Sequence, residues 1–356
     1  MLRCKRWVRK GDVERARSRG SVKAARIHPF GPPEVVVIVD LSRPHPDQGE
    51  LLVRVRAAGV GPWDALIREG KSNVSPPPPL TLGSDLSGTV ETIGPGVTDF
   101  RAGEEVYGVT NAQFCGAQAE FAVASPGMVA KMPQRLNHVE AASVPVVAVT
   151  AWQMLFEYAQ IVAGQSVLIL GAGGNVGAYA VQLATSIGPD VVAIVGPKDV
   201  ELVRNLGAKT VLEYQRGAFE NAIPEVDVVI DTVGGDALEH SLGKVKSGGV
   251  VVSVASTKPL PQRPDIGSVF FYADVTTARL NLLTKLFEER KLSARVGSIL
   301  PLQDARTAHY MLAGAPHKPG KNEQDPRSNT AIARPLRFPK LSSTGPQWNT
   351  LAYTLT

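Results

Sequence analysis

Residues 166–177 read SVLILGAGGNVG, and this stretch decides the fold class of the chain. The apolar residues 167–170 predict a buried strand that ends at Gly171, and residues 178–184 predict the helix that follows. Glycines in such a turn let the backbone approach a pyrophosphate, and the N–H groups and positive dipole at the helix start bind the anion. The stretch therefore predicts the opening of a dinucleotide-binding unit.

The order of elements after this stretch favours nucleotide binding over a tight turn that binds nothing. The glycines Gly171, Gly174 and Gly177 follow G-x-x-G-x-x-G, with Gly173 in addition, and so depart from the strict G-x-G-x-x-G spacing. Predicted strands then alternate with helices, which is typical of a doubly wound parallel sheet. The strands are predicted at 191–195, 210–212, 226–230 and 249–255, and a helix at 199–206.

Composition indicates a soluble protein of about two domains in a reducing compartment. The chain has 356 residues, of which 44% are hydrophobic and 20% charged, as is ordinary for globular proteins. It contains no apolar run of about 18 residues, so no membrane span is expected. Cys4 and Cys115 form no pattern typical of a disulfide framework or a metal site, which favours a cytoplasmic location.

Positive charge is concentrated at the two ends of the chain. The formal net charge is +5, but residues 1–20 carry eight Lys/Arg against two acids, and residues 317–356 carry six against two. Basic ends of this kind are typical of solvated termini, so no nucleic-acid partner is expected. The Arg-rich start is similar to a mitochondrial transit peptide, but Asp12 and Glu14 argue against one, and we expect residues 1–20 to be a basic extension.

Short strands between Gly and Pro turns precede the nucleotide unit and predict a rolled sheet or partial barrel. They are predicted at 23–27, 35–39, 51–57, 86–93, 105–109 and 119–123, with a short helix around 65–68. A longer helix, 139–157, leads into the nucleotide unit. Beyond the unit we expect an amphipathic helix at 276–290, a strand at 295–300 and a helix at 301–312.

Several stretches, in this order, carry a resemblance to one family. They are RVRAAGVGPWDALIREG, LGSDLSGTVETIGPGV, GEEVYGV, AEFAV, VPVVAVTAWQMLF, GAGGNVG, LGAKTVLEY, VIDTVGG, GGVVVSVAS and PLQDARTAHYMLAG. From about residue 22 to about residue 321 the chain resembles the zinc-independent quinone oxidoreductases, the zeta-crystallin-like branch of the medium-chain dehydrogenase/reductase superfamily.

The resemblance implies an α/β protein with two domains and NADP(H) as cofactor. A GroES-like, partly open β-barrel catalytic domain would comprise residues 21–145 and 275–321, and a Rossmann domain with a doubly wound parallel sheet, residues 146–274, would be inserted between them. The family transfers hydride from NADPH to quinones, or to the alkene of enones and enoyl thioesters, in the cleft between the domains. A homodimer is expected from the resemblance alone.

Three residues depart from the family's patterns. Where zinc-dependent relatives carry a Cys and a His-Glu pair, this chain has Gly61 and Ser84, which supply no zinc ligands, so we expect no catalytic metal. Zinc-free members usually carry Asn at the position of Gly61, so a polar group close to the nicotinamide and substrate is missing. Asn175 replaces a usual glycine of the phosphate turn, and binding survives there if Asn adopts the left-handed backbone conformation that it tolerates.

The expected cofactor contacts favour NADP(H). The second strand of the nucleotide unit ends without the Asp or Glu that bonds the ribose 2′-OH in NAD-binding units, and Lys198 follows as a point charge for a 2′-phosphate. The resemblance adds Tyr214, with Arg216 close by. Lys198 as an ordinary helix residue and Tyr214 as a surface aromatic are the alternatives. The full set is Thr150, Gly171, Gly173, Gly174, Asn175, Val176, Gly177, Lys198, Tyr214, Val233, Gly234, Ser253, Ala255 and Phe270, the last covering the nicotinamide side.

The sequence identifies no catalytic residue. Tyr107 and Trp63 are candidates to line the cleft, Asp64 is a candidate to anchor its loop, and solvent can supply a proton. After Lys321 the family continues with an apolar closing strand, whereas this chain reads NEQDP, so we expect residues 322–356 to form a disordered tail.

Three functions stay open at this point. The first is an NADPH-dependent reductase of a small quinone or enone. The second is a trans-acting enoyl reductase of a biosynthetic pathway, which acts on a carrier-bound substrate. The third, motivated by the missing polar group at Gly61 and by the unusual tail, is a non-catalytic NADPH-binding protein.

Overall fold

The N-terminal lobe is built from short strands and one short helix. The structure, a computed structural model, describes residues 20–214, 219–255 and 263–315, and the backbone of 351–354. Within the lobe, the strands are β1 Ser21–Ile27, β2 Val37–Ser42, β3 Leu51–Val60, β4 Leu80–Thr81, β5 Asp85–Ile93, β6 Glu105–Val109, β7 Phe121–Ala124 and β8 Val129–Lys131, and the helix is α1 Pro62–Arg68.

The strands of this lobe are divided between two sheets. The smaller sheet has the order β2-β1-β4, and the larger one places β3, β5, β6 and β8 side by side, with β7 on the other edge of β3. Every described pairing among them is antiparallel. The strand predicted at 35–39 starts two residues later, because Pro33–Val35 forms a 3-10 turn that is closed by a hydrogen bond from Val36 N–H to the Pro33 carbonyl.

The helix predicted at 139–157 is three segments. They are α2 His138–Ala142, α3 Pro145–Trp152 and a π-helical segment, Gln153–Tyr158. Asn137 and Glu140 form a capping box that starts α2, with hydrogen bonds of 2.9 and 3.0 Å. The break between α2 and α3 falls at Pro145, because proline has no N–H to continue the first helix and is well tolerated at the start of the second.

The nucleotide domain is a six-stranded parallel sheet, which confirms the doubly wound prediction. Its order is β11-β10-β9-β12-β13-β14. The strands are β9 Ser166–Leu170, β10 Asp190–Val195, β11 Thr210–Glu213, β12 Val226–Asp231, β13 Val245–Ser253 and β14 Gly267–Phe270, and the helices are α4 Asn175–Thr185, α5 Val200–Asn205 and α6 Gly235–Ser241. Sequence reasoning did not predict α6.

Both faces of this sheet are buried, as expected for a parallel sheet covered by helices. Val167 and Ile169 of β9 pack against α3 and α4, whereas Leu168 and Leu170 pack on the opposite face. This alternation explains why β9 is a continuous apolar run in the sequence. The carboxyl ends of the strands consequently meet at one edge, where a ligand crevice is expected.

The C-terminal part returns to the first lobe and corrects two predictions. Its elements are α7 Thr277–Glu288, β15 Ile299–Pro301, α8 Ala305–Leu312 and β16 Leu351–Thr354. Besides the turn at Pro33–Val35, 3-10 turns lie along the whole chain, at Pro126–Met128, Pro197–Asp199, Phe219–Ala222, Leu242–Lys244 and Leu302–Asp304. The strand predicted at 295–300 is therefore only Ile299–Pro301.

The disordered-tail prediction for residues 322–356 is wrong at Leu351–Thr354. These four residues form β16, which lies between β15 and β3, parallel to β15 and antiparallel to β3. Leu351 pairs with Val60 and Thr354 with Ala57. Residues 351–354 thus supply a strand at this edge of β3, and the segment directly after Lys321 lies outside the described residues.

Candidate functional site

The glycine-rich turn between β9 and α4 is too narrow for side chains at two of its positions. A Cβ atom on Gly177 would lie 2.2 Å from the carbonyl oxygen of Gly171. Gly171 has φ +74°, and a Cβ there would lie 2.5 Å from Thr232 Oγ1. Gly174 is the N-cap of α4 and its N–H donates to the Gly171 carbonyl over 2.9 Å. These glycines therefore serve the tight turn and the close helix packing that a pyrophosphate cradle requires.

The helix start beside this turn offers hydrogen-bond donors to an anion. The N–H groups of Asn175, Val176 and Gly177 belong to the first turn of α4, where an α-helix has no internal acceptors. Asn175 is the first helical residue, and its φ is not positive. The left-handed conformation that we expected Asn175 to need is therefore not required, and the cradle accommodates Asn in place of glycine.

The ends of β12 and β13 are joined by a buried carboxylate. Asp231 Oδ1 accepts hydrogen bonds from the N–H groups of Val233 and Gly234, over 3.0 and 2.8 Å, and Oδ2 accepts the hydroxyl of Ser253 over 2.6 Å. Asp231 and Ser253 are fully buried. A Cβ on Gly234 would lie 3.6 Å from Ala255. The structure thus brings Val233, Gly234, Ser253 and Ala255 together, and Asp231, which sequence reasoning did not select, holds them there.

The corner of the turn next to β10 contains more charge than the sequence suggested. Lys198 is exposed in the turn Pro197–Asp199, and Tyr214 is 46% exposed, with a ring carbon 3.5 Å from where a Cβ on Gly196 would lie. The Asp199 carboxylate lies over the glycine-rich turn, 2.6 Å from where a Cβ on Gly173 would be. Arg216 lies outside the described residues.

Arg295 is the third charged side chain at this corner, and no local pattern in the sequence marks it. Its Nη1 donates to the carbonyl of Gly173, and its Nη2 lies 3.3 Å from Asp199 Oδ1. Arg295 and Gly173 are 122 positions apart in the chain. Such a contact depends on how the domains pack, which is why sequence reasoning missed it.

Thr150 and Phe270 are not brought together. The Thr150 hydroxyl donates to the Val146 carbonyl one turn earlier in α3, over 2.6 Å, and the side chain is 5% exposed. Phe270 packs on the sheet face that lies away from α3. The neighbouring Phe271 takes the α3 side instead, with its ring centroid 4.2 Å from that of Tyr158.

A chain of hydrogen bonds links the first lobe to α3. The indole Nε1 of Trp63 donates to Ser84 Oγ over 2.9 Å, and Ser84 Oγ donates to Asp85 Oδ2 over 2.7 Å. Asp85 Oδ1 accepts the N–H of Val146 over 2.8 Å. Because Val146 lies one turn before Thr150, these hydrogen bonds fix the Trp63 wall, formed by Gly61, Trp63 and Ser84, relative to helix α3.

The indole of Trp63 fills the space next to Gly61. A Cβ on Gly61 would lie 2.2 Å from the nearest indole carbon. Trp63 also packs against the cores of both lobes. The indole therefore occupies the space into which a side chain at position 61 would project.

Two buried carboxyl groups support this wall. Asp64 accepts the N–H of Gly61 over 2.8 Å and that of Gly83 over 3.1 Å, so Asp64 anchors its loop as predicted. Burial raises the pKa of Asp64 to about 8 and the pKa of Asp85 to about 7, because a charged carboxylate loses its hydration there. Tyr107 does not line the cleft: it is fully buried, and its hydroxyl donates to the Leu280 carbonyl over 2.8 Å.

The described residues also bear on metal binding and membrane insertion. Among the residues that the structure describes, no group of three or more His, Cys, Asp or Glu side chains is arranged to hold a metal ion. Within the same residues, none of the helices combines the length and the apolar character needed to cross a membrane.

Known families and structures match this arrangement. The family models that match are the alcohol dehydrogenase GroES-like domain at residues 47–134, the zinc-binding dehydrogenase at 206–321 and the alanine dehydrogenase/PNT C-terminal domain at 150–258. A quinone oxidoreductase of Sus scrofa is 31% identical over 307 residues, which cover 81% of this chain and 93% of that protein. The chain belongs to the quinone oxidoreductase branch of the medium-chain dehydrogenase/reductases.

Solved structures agree with this membership. The quinone oxidoreductase from Coxiella burnetii is 30% identical with a TM-score of 0.78, and the match covers 85% of this chain and 98% of the other. An alcohol dehydrogenase superfamily protein from Novosphingobium aromaticivorans is 32% identical with a TM-score of 0.77, covering 84% and 98%. This member of the branch is thus an oxidoreductase with a GroES-like domain, a Rossmann domain and a cradle that fits a nicotinamide dinucleotide.

Proposed function

We propose that the chain is an NADPH-dependent oxidoreductase that transfers hydride to a small quinone or to the activated alkene of an enone. We propose further that it acts without catalytic zinc, as a cytoplasmic homodimer. The observation that supports the zinc-free reaction is the side-chain set at Gly61, Trp63 and Ser84. An indole and a hydroxyl that is hydrogen-bonded to Trp63 and Asp85 stand there, where a zinc-dependent enzyme would need Cys, His or carboxylate ligands.

The preference for NADPH is supported by the charges around the cradle. Lys198 is exposed beside the turn, and Tyr214 flanks the end of β10. Asp199, whose carboxylate lies over the glycine-rich turn, is paired with Arg295 and so is partly neutralised. The two cations outnumber the carboxylate, which suits a 2′-phosphate better than a bare 2′-OH.

The residues of the chain bind the cofactor, orient the substrate and shield both from water. A bound nicotinamide supplies the hydride chemistry. The turn at Gly171 and Gly177 positions the pyrophosphate, and the strand-end loops held by Asp231 line the crevice. The Trp63 ring excludes water from one wall. Asp64 and Asp85 have both oxygens in hydrogen bonds within the protein, so we assign the proton that follows hydride transfer to solvent.

One experiment tests cofactor and substrate together. Fluorescence titration with NADPH and NADH gives the two dissociation constants, and adding a panel of quinones and enones to the NADPH complex reports oxidation by the loss of absorbance. We expect tighter binding of NADPH than of NADH, and turnover with at least one quinone or enone.

The other outcomes separate the alternatives. Oxidation of NADPH only with an acyl-carrier or coenzyme A thioester would favour a trans-acting enoyl reductase. Binding of NADPH without turnover on any of these acceptors would favour a non-catalytic NADPH-binding protein. If neither dinucleotide bound, the cradle would not serve a nicotinamide cofactor and the proposal would be wrong.

A further inference from the structure

Arg295 reaches the glycine-rich turn from a segment that is fixed on α4. The side-chain amide of Gln182 in α4 holds the backbone of Ser293 through two hydrogen bonds, of 2.7 and 3.4 Å. Leu292, next to Ser293, is buried in the main core. The segment between α7 and β15 is therefore anchored just before Arg295, so the position of the guanidinium is set by the packing of the C-terminal part against the nucleotide domain.

The guanidinium is placed between the turn and the carboxylate of Asp199. It donates to the Gly173 carbonyl and pairs with Asp199, and its side chain is 15% exposed. A guanidinium has more N–H donors than these two contacts use. The remaining donors are available to a phosphate at the same corner, and bidentate bonding of phosphate is the contact that arginine makes best.

The Asp199 carboxylate lies over the glycine-rich turn, four positions after the end of β10, whereas an NAD-binding unit carries its ribose-recognising acid at the end of this strand. In such units the carboxylate accepts a hydrogen bond from the ribose 2′-OH. Here the carboxylate is already paired with Arg295. Without that pairing, Asp199 would attract a 2′-OH and repel a 2′-phosphate.

We propose that Arg295 sets the cofactor preference of this chain, by holding Asp199 away from the ribose 2′-position and by donating hydrogen bonds to the 2′-phosphate. This inference rests on the proposed NADPH dependence and assigns it to a residue outside the nucleotide-binding strands. Two roles follow for one side chain, and both act on the same corner: the first weakens NADH binding, and the second strengthens NADPH binding.

The test compares binding by Arg295→Gln, Arg295→Lys and Asp199→Asn proteins with binding by the original chain. Dissociation constants are measured by fluorescence titration for NADPH and NADH, and by competition for 2′,5′-ADP and 5′-AMP, so that no turnover is needed. Loss of a charge-assisted hydrogen bond predicts that Arg295→Gln lowers the preference for NADPH over NADH about tenfold or more. Arg295→Lys should retain part of the preference, because the charge remains and the fork is lost.

A second variant distinguishes selectivity from a structural role. In Arg295→Gln the Asp199 carboxylate is unpaired and repels the phosphate, so adding Asp199→Asn should recover part of the NADPH and 2′,5′-ADP affinity, while NADH and 5′-AMP affinities change little. If the single and double variants weakened all four ligands equally, Arg295 would only hold the loop, and the inference would be overturned.

Arg263→Gln is the matched control. Arg263 also donates to a carbonyl, that of Leu242, and pairs with an aspartate, Asp265, but it lies at the amino ends of β13 and β14, opposite the crevice. We expect the Arg263→Gln protein to have the same cofactor preference as the original chain. The failure of the proposed function would be visible in the original chain itself, as equal or weaker binding of NADPH than of NADH. The failure of the inference would be visible only in the variants.

Discussion

Gly177 and Gly61 both lack room for a side chain, but different neighbours fill the space. At Gly177, on the cofactor side, a Cβ would meet the backbone carbonyl of Gly171 at 2.2 Å, and Ala172 Cα at 2.7 Å. At Gly61, on the proposed substrate side, a Cβ would meet the indole ring of Trp63 at 2.2 Å. Backbone in a tight turn cannot move without moving helix α4, whereas a ring can change its rotamer.

This difference separates a contact that the fold requires, at Gly177, from one that is particular to this sequence, at Gly61. The close approach of α4 to the turn is part of any strand-turn-helix cradle for a dinucleotide. The contact between Gly61 and the Trp63 indole is instead a contact with a side chain, which the fold does not require. The cofactor side of the site is consequently built on backbone geometry, and the substrate side on the packing of exchangeable side chains.

Of the two glycines, Gly177 should show the larger effect when it is replaced by alanine. Gly177→Ala forces α4 away from the turn, because the backbone atoms that the new methyl group meets cannot move aside on their own. We expect a loss of about 2 kcal/mol or more in the free energy of unfolding. Displacement of several N–H donors should weaken NADPH binding about 100-fold. Urea unfolding and fluorescence titration measure the two quantities.

Gly243→Ala provides the control for introducing a methyl group in the nucleotide domain. No heavy atom lies within 4 Å of a Cβ built at Gly243, and its φ is not positive. The Gly243→Ala protein should bind NADPH as the original chain does. If Gly177→Ala also kept its NADPH affinity, the narrow turn would not be the cofactor cradle.

Gly61→Ala should have a smaller and different effect. The new methyl group displaces the Trp63 indole and weakens its hydrogen bond to Ser84, at a cost of about 1 kcal/mol in stability. Since the cradle is untouched, NADPH affinity should not change, whereas the KM for a quinone or enone should rise.

The Trp63→Ala variant, alone and combined with Gly61→Ala, completes this test. With the indole removed, Gly61→Ala no longer meets an obstacle, so the two changes should be non-additive by about 0.5 kcal/mol or more. Strict additivity of the two stability changes, or a loss of NADPH affinity in Gly61→Ala as large as in Gly177→Ala, would contradict the contrast between the two glycines.

The cofactor side was also the part that could be predicted from sequence. The run at 167–170 is apolar on both faces because helices cover both sides of the sheet, and the glycines that follow can serve few other purposes. Most of the predicted strands agree with the structure for the same reason, since local hydrophobic patterns report burial.

The parts that were missed depend on contacts between distant residues. Arg295 meets Gly173 across 122 positions, and β16 becomes a strand only because its edge pairs with β3 and β15. Phe270 and Phe271 are equally apolar, and only the pleat of the strand end decides which of them turns toward α3. No local pattern carries this information.

A pH-dependent effect concerns the buried carboxyl that supports the Trp63 wall. The pKa of Asp85 is raised to about 7 in the folded protein, whereas an unfolded Asp titrates near about 4. The folded state therefore holds one more proton between these values. Its stabilising contribution is complete below about pH 4 and is lost as the pH rises through 7, with a slope of at most about 1.4 kcal/mol per pH unit.

Asp85→Asn removes this titration and should flatten that part of the stability profile. Urea unfolding between pH 4 and 8 measures the slope, and Asp40→Asn, at a surface carboxylate paired with Lys23, is the control that should keep it. The part of the slope due to Asp64, whose pKa is raised to about 8, should remain in both variants. An unchanged slope in Asp85→Asn would mean that Asp85 is already charged in the folded protein. The link from Trp63 through Ser84 to Val146 would then rest on a buried carboxylate, and its donors would have to outweigh the cost of desolvating that charge.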